Sequence, residues 1–222
     1  MEPPSVKNNK AEECRRNLCT SMRKISRKTD TKRRAIILSG GVDTNAILEA
    51  AVSIQMDLSV ATTVVIGNNN SPDKAFAVCA ASQHGIKHHI VRMTAGDLVN
   101  EHLPKTVKLL QTWDGMTLRN SLVISAAFQE ASRLGMDDVI VGDAADELFG
   151  GYSFMWGSAD NLSVWKKKRD DMCKKWTFAT SKLALSYGIT PHAPFMDDDF
   201  VAWALTTHHE DCVLEKDPSN YY

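Results

Sequence analysis

The stretch Ala35–Leu48, AIILSGGVDTNAIL, sets four apolar residues ahead of two adjacent glycines and then opens a helix-period pattern. A short apolar run closed by a turn signal reads as a buried strand, residues 35–38, and residues 43–55 read as the helix that follows. Gly40 and Gly41 can take backbone conformations closed to other residues and leave their amides uncovered. An anion can then approach the N-terminus of the helix, where Ser39 and Thr44 add hydroxyl donors. This is a phosphate cradle in physical terms, yet of neither common kind. No G-x-x-x-x-G-K-[ST] occurs, and no G-x-G-x-x-G follows a strand. Asp43 would repel a bare phosphate and would hold a magnesium ion bound to one.

Working outward, LSVATTVVIG contains a second strand ending at Gly67, and NNNSPD is a loop whose Ser71 or Pro72 starts the next helix, residues 73–84. Gly85 stops that helix, and residues 86–93 form a third strand. Helices over 96–110 and 118–134 come next, then a fourth strand in DDVIVG; everything after Gly151 reads as mostly helical. Strands alternating with longer helical segments predict a doubly wound, mostly parallel α/β sheet with a helical C-terminal part. Its ligand crevice would lie at the carboxyl ends of the strands, which puts 39–41, 67–70 and 142–146 along one rim.

A chain of 222 residues with 43% hydrophobic content can bury one sizeable core. No apolar run approaches the eighteen or so residues of a membrane span, and the first residues lack the apolar core of a secretory signal. The expectation is a cytoplasmic protein with reduced thiols, since the five cysteines include no C-x-x-C pair. The net charge of −1 conceals an asymmetry: residues 1–34 carry eleven Lys and Arg against four acids, the remainder fifteen against twenty-three. Glu12 and Glu13 interrupt this basic arm and no aromatic interleaves it, so neither a transit peptide nor a nucleic-acid contact is expected. Leu18, Met22 and Ile25 fall at i, i+4, i+7 and predict a helix laying one apolar stripe on the body. Residues 160–176, DNLSVWKKKRDDMCKKW, are charge-dense and read as a mobile or inserted segment, or as a solvated helix face. His84 and His88 are separated by a helix-breaking glycine and do not suggest a metal pair, while His88, His89, His208 and His209 read as strand and surface residues.

A second segment, VIVGDAADELFGGY (Val139–Tyr152), puts Asp143, Asp146 and Glu147 within five residues after a strand. Acids so crowded raise one another's pKa unless a cation sits between them.

Both segments carry a resemblance. Residues 39–44 resemble the S-G-G-x-D-[ST] pyrophosphate loop of the N-type ATP pyrophosphatases, a superfamily that includes asparagine, GMP, NAD and argininosuccinate synthetases and tRNA-thiolating enzymes. Residues 139–152 resemble the SGEGSDE-x-FGGY signature of the asparagine synthetase C-terminal domain, and HAPFMDDDFVAWAL near the end is similar to its R-x-P-F-L-D and following helix. The likeness covers roughly residues 15–206. It implies an adenine nucleotide alpha hydrolase-like domain over 34–210, preceded by the basic helical arm 1–33 and followed by a tail, 211–222. It further implies ATP and magnesium. Asp43 and Asp146 match the metal-binding aspartates; Leu38, Ile66 and Gly142 match the adenosine positions; Ser39, Gly40, Gly41 and Thr44 match the pyrophosphate positions. Asp143 stands where the family has the glutamate that contacts the acyl-adenylate, which would make Asp43, Asp143 and Asp146 the catalytic acids. Glu147, Arg119, Lys182 and His192 fall on the substrate side, although packing and capping by Asp114 is the simpler role for QTWDG (111–115).

The family reaction implied is adenylation of an amino-acid carboxylate, aspartate first, with pyrophosphate release and then attack by ammonia. The chain shows no N-terminal glutaminase domain, so ammonia is expected from solution or from a separate glutaminase subunit; no membrane or nucleic-acid partner is expected. Departures from the pattern gather on the substrate side: His192 replaces Arg, Ala144 and Ala145 replace Gly and Ser, Val141 replaces Ser, and Lys182 is the one clear basic match before Gly188. Lys216 is the candidate to replace a pyrophosphate-binding lysine. Two alternatives stand beside this reading: another N-type ATP pyrophosphatase reaction, or a nucleotide-binding homologue without turnover.

Overall fold

The computed structural model describes residues 6–28, 33–67, 72–158 and 161–212; the rim stretch 68–70, Ser71, Lys216 and the tail from 213 lie outside them. In chain order the elements are α1 (Val6–Lys28), β1 (Arg34–Ile37), α2 (Val42–Ser53), β2 (Val60–Ile66), α3 (Pro72–Gln83), β3 (His88–Met93), α4 (Ala95–Leu110), α5 (Gly115–Arg133) and β4 (Asp138–Ile140). Then come α6 (Ala145–Phe149), α7 (Ser153–Trp156), α8 (Leu162–Lys175), α9 (Thr180–Leu185), β5 (Thr190–His192), α10 (Asp198–Ala204) and α11 (His209–Cys212). No helix among the described residues is long and apolar enough to cross a membrane.

The chain divides into two compact units, one of Met22–Gly142 with Phe178–Pro194 and the other of Met1–Ser21, Asp143–Thr177 and Phe195–Tyr222. The first unit holds a five-stranded parallel sheet of order β3-β2-β1-β4-β5. The chain winds from β1 through β2 to β3 on one side and continues with β4 and β5 on the other. The order therefore reverses between β1 and β4, which makes the carboxyl ends of those two strands the switch point of a doubly wound sheet. Central strands buried on both faces need near-continuous apolar residues, and Ala35, Ile36, Val139 and Ile140 are all fully buried. Ala35, Val60, Val139 and Val141 form one core cluster with Phe128 and Ala131 of α5 and Leu183, Ala184 and Ile189 around α9.

Two consecutive arginines set the β1 to β4 register. Arg33 makes a bidentate pair with Asp137 at 2.7 Å, and Arg34, opposite Asp138 in the ladder, lies 3.8 Å from its carboxylate with both side chains buried. Charge at the arm's end thus belongs to the sheet. The described residues after Gly151 are mostly helical, as expected, and add one short strand, β5. Thr190, Pro191 and His192 pair with residues 138–140 of β4, and Pro191 is tolerated because β5 is an edge strand.

The second unit is helical. Phe200 of α10 makes edge contacts with Phe149, Phe195 and Trp203 at 6.1, 5.3 and 5.5 Å between ring centroids, arrangements that suit the ring quadrupoles. Trp203 also donates to Glu13 of α1 at 3.3 Å. Residues 162–175 of the charge-dense run form the helix α8, which has the solvated face expected of it, with its lysines exposed, and which also carries two fully buried side chains, Trp165 and Arg169. Arg169 donates to the carbonyls of Ala204, Leu205 and Thr207, closing the C-terminal end of α10, and lies over the Trp165 ring. On the exposed face, Lys166 and Lys167 pair with Asp170 and Asp171 at i+4. In α1, Leu18, Met22 and Ile25 are buried, together with Cys19 and Ser21.

Candidate functional site

In the first unit, the loop between β1 and α2 is built by its own hydroxyls. Ser39 N–H donates to Thr44 Oγ1 at 3.2 Å, the two hydroxyls lie 3.0 Å apart, and Gly41 N–H donates to Ser39 Oγ at 3.2 Å. Thr44 Oγ1 reaches the Gly41 carbonyl at 3.4 Å, and Asn45 holds the Gly40 carbonyl through Nδ2 at 2.9 Å. The turn is preformed.

The two glycines have different reasons. Gly40 has φ +92°, and a Cβ there would overlap the backbone carbonyl of Asp73 in the first turn of α3. Gly41 has an ordinary φ of −68°, and a Cβ there would meet only Ser39 Oγ, at 3.3 Å. Gly40 is therefore required by its neighbour's backbone, while Gly41 keeps the opening of α2 uncovered. No described side chain caps that helix, so its first turn presents the amides and positive dipole end that attract anions. Asp43 sits in that turn, half-buried.

Gly142, one residue beyond Val141 at the end of β4, completes this part of the rim. A Cβ at Gly142 would lie 3.1 Å from the Thr44 methyl and 3.8 Å from Asp43 Cβ, so the two strand ends meet closely. Leu38 is fully buried and Ile66 is 41% exposed.

In the second unit, the acid-rich segment turns sharply into α6. Ala144, the helix N-cap, has φ +83°, a left-handed conformation that costs an L-residue about 1–2 kcal/mol. This is one of the positions where the family pattern has glycine. Gly150 and Gly151 are sterically required: a Cβ at Gly150 would lie 2.9 Å from Trp165 Nε1, and one at Gly151 would overlap the Asp146 carboxylate. Burial, and then the charge of Glu147, push the Asp146 carboxyl above the usual aspartate range. Tyr152 donates a 2.5 Å hydrogen bond to Glu147 Oε1, and burial together with that bond pushes the phenol up as well. Crowding of the acids is thus a physical fact here, as their spacing implied.

Three of the substrate-side candidates, Arg119, Lys182 and His192, lie in the first unit. Arg119 is exposed and touches Met116, and Lys182 is exposed in α9. His192 is the last residue of β5, level with Ile140 at the carboxyl end of β4, and its Nε2 reaches back to lie 3.1 Å from Oδ1 of Asp138 at the start of β4. Asp114 caps α5 by accepting from Thr117 N–H at 2.8 Å. Among the other histidines, His84 pairs with Glu49, His88 with Thr63, His89 with Glu130 and the buried His102 with Ser125, His209 lies beside the Trp165 ring, and His208 is exposed. Among the described residues no three of His, Cys, Asp and Glu gather to hold a metal, so a magnesium ion would need phosphate oxygens to complete its shell, as it commonly does. Sequence reasoning missed Asn45, whose amide locks the loop, and the Asp73 backbone. A carboxamide one residue after Thr44 was the available signal for the first; nothing local signals the second.

A glycine loop at the switch point of a parallel sheet, leading into a helix that no described side chain caps, defines an α/β protein of the doubly wound class. Family comparison is more specific: residues 25–176 match the asparagine synthase family model, and the chain belongs to that family. It is 24% identical over 196 residues to asparagine synthetase [glutamine-hydrolyzing] 2 of Oryza sativa subsp. japonica, covering 82% of this chain and 32% of that protein. Identity to asparagine synthetase [glutamine-hydrolyzing] 3 of Arabidopsis thaliana is also 24%, over 197 residues, with 82% and 33% covered. The chain thus spans about a third of the length of these curated relatives. Similar solved structures include the NH3-dependent NAD synthetase of Campylobacter jejuni, at TM-score 0.45 and 14% identity over 67% of this chain and 63% of that one. Another is the U34-tRNA thiolase NcsA of Methanococcus maripaludis, at 0.47 and 16% over 97% and 68%.

Proposed function

We propose that the chain is an ATP-dependent ligase that adenylates a carboxylate and forms an amide. The preformed loop with Gly41 open before an uncapped helix carries this reading, since it suits the pyrophosphate end of a nucleotide. Ser39, Gly40, Gly41 and Thr44 are assigned to pyrophosphate, and Leu38, Ile66 and Gly142 to the adenosine. Asp43 and Asp146 are assigned to magnesium by the family pattern. A cation so held would neutralise charge developing on the pyrophosphate oxygens.

The substrate carboxylate attacks the α-phosphorus, its oxygen bonds to phosphorus, and pyrophosphate leaves with the electron pair of the broken bond. Ammonia then attacks the mixed anhydride, losing a proton as AMP departs. The loop's contribution is orientation of the triphosphate by fixed amides and hydroxyls, which need no reorganisation during reaction. Asp143 is assigned to the acyl-adenylate side, one methylene shorter than the family's glutamate, with Glu147, Arg119 and Lys182 nearest it in pattern. Aspartate with free ammonia or a separate glutaminase subunit is the first candidate set, in a cytoplasmic setting.

One observation favours a second reading, in which the same chemistry serves another carboxylate. His192, standing for the family's arginine, is turned toward Asp138, and a carboxylate without its matching cation would be left unpaired. Pyrophosphate release measured with ATP, magnesium, aspartate and ammonia separates the readings. Release with asparagine formed supports the first, release that needs another acid supports the second, and ATP binding without release under any acid supports a homologue without turnover. Asp43→Asn abolishes magnesium-dependent release under either enzymatic reading; undiminished release refutes the metal assignment.

A further inference from the structure

We propose that Thr63 and His88 are positioning residues for the nucleotide loop, acting through the carbonyl of Leu38. This inference rests on the loop's assignment to nucleotide but invokes two residues that lie outside the pyrophosphate-loop and acid-rich family signatures. Thr63 lies in β2 and His88 at the start of the edge strand β3, so the pair spans from the sheet's edge toward its central strand.

The hydrogen-bonding protons are fully determined. Thr63 Oγ1 lies 2.5 Å from the Leu38 carbonyl and 2.7 Å from His88 Nε2. A carbonyl only accepts, so the single hydroxyl proton goes to Leu38, and the bond to His88 requires the imidazole to donate from Nε2. The tautomer is thereby fixed as Nε2–H, and burial, with His89 nearby, lowers the basicity of His88 and favours the neutral ring. A relay of two bonds, His88 to Thr63 to Leu38, crosses three strands.

The end of the relay matters because Leu38 leads directly into the loop. Leu38 N–H donates to the Thr62 carbonyl at 2.8 Å, so both backbone groups of Leu38 are tied to β2. The next residue is Ser39, whose N–H holds Thr44 Oγ1 and whose hydroxyl receives Gly41 N–H. Leu38 is therefore the last residue fixed by the sheet before a loop that is fixed by Ser39. Valine at position 63 would fill the buried space equally well; the hydroxyl holds the carbonyl side of the Leu38–Ser39 peptide, whose N–H is held by Thr44. An orphaned carbonyl at this point rotates toward another donor and carries Ser39 with it.

The test compares Thr63→Val with Thr63→Ser, and His88→Phe with His88→Gln, whose amide can donate from a similar reach. Backbone hydrogen exchange of the ligand-free protein is read at Ser39 and Gly41, and magnesium ATP affinity by calorimetry. Thr63→Val and His88→Phe should speed exchange at those two amides and weaken ATP binding about tenfold, while Thr63→Ser and His88→Gln stay within about twofold of the parent. A histidine nitrogen spectrum of the parent should show His88 as the Nε2–H tautomer. Unchanged exchange and affinity in both disruptive variants, or the other tautomer, overturns the proposal. If the parent itself fails to bind ATP, the functional reading falls, and the exchange data alone decide whether the relay positions the loop. Should Thr63→Val fail to fold, the His88 pair, on the half-buried end of the relay, decides.

Discussion

Replacing each loop glycine by alanine should have opposite consequences for stability and for binding. At Gly40 the methyl is forced into a φ of +92° and into the Asp73 carbonyl. The conformation costs about 1–2 kcal/mol and overpacking about 1–3, against about 0.4–1 returned through the stiffer unfolded chain. The net is a loss of about 3 kcal/mol. For a chain of 222 residues, that is about 6–12 °C in Tm. At Gly41, φ is −68°, which alanine adopts freely, and its methyl meets only Ser39 Oγ at 3.3 Å. The entropic gain and this tight contact offset each other, leaving a change within about 0.5 kcal/mol. Yet Gly41→Ala places its methyl at the opening of α2, so nucleotide affinity should fall at least tenfold in a protein that melts normally. Thermal and urea denaturation followed by circular dichroism, with calorimetric titration of magnesium ATP, read both effects. Equal melting points for the two variants, or full nucleotide affinity in Gly41→Ala, would refute the division of roles between the glycines.

Two further outcomes concern buried charge. Burial and Glu147 raise the Asp146 carboxyl, so the folded chain holds this proton more tightly than the unfolded one. Stability is then lost as pH climbs from the ordinary value of 3.8 through the raised one. Asp146→Asn removes that loss: the ligand-free variant should be more stable than the parent at pH 7, the difference vanishing below about pH 4, while magnesium-dependent ATP binding weakens. Denaturation series at several pH values check the sign, and a variant less stable at pH 7 contradicts it. Arg169→Met takes the guanidinium from the carbonyls of Leu205 and Thr207 at the end of α10, while Ala204 keeps the Thr207 N–H and hydroxyl. It should cost about 3 kcal/mol in urea unfolding, and a neutral result would mean that water replaces the guanidinium.

The first strand, its glycine turn and the helix beyond were legible because their signals are local: an apolar run, paired glycines and a 3.6 period in one window. The fourth strand and the acid-rich turn were legible on the same ground. The fifth strand was not, because three residues containing Pro191 become a strand only by lying beside β4. Composition was right about the solvated lysines of 162–175, yet it could not single out the one arginine among them that is wholly buried. What selects Arg169 is the set of helix-end carbonyls at residues 205 and 207, with that of 204 beside them, which no local window contains. The substrate-side residues were named from a family pattern; the position of His192 against Asp138 depends on strand pairing and could be seen only in the fold.

The contact of Gly40 with Asp73 also changes what the twin-glycine signature can certify. One of the two glycines is demanded by the joint between the first loop and the third helix, whatever the protein does with nucleotides. A descendant that had abandoned turnover would still be held to it, while Gly41 would be free to drift. In this chain, then, the first glycine testifies to the architecture alone, and any sign of a ligand at the loop would have to be sought at the second.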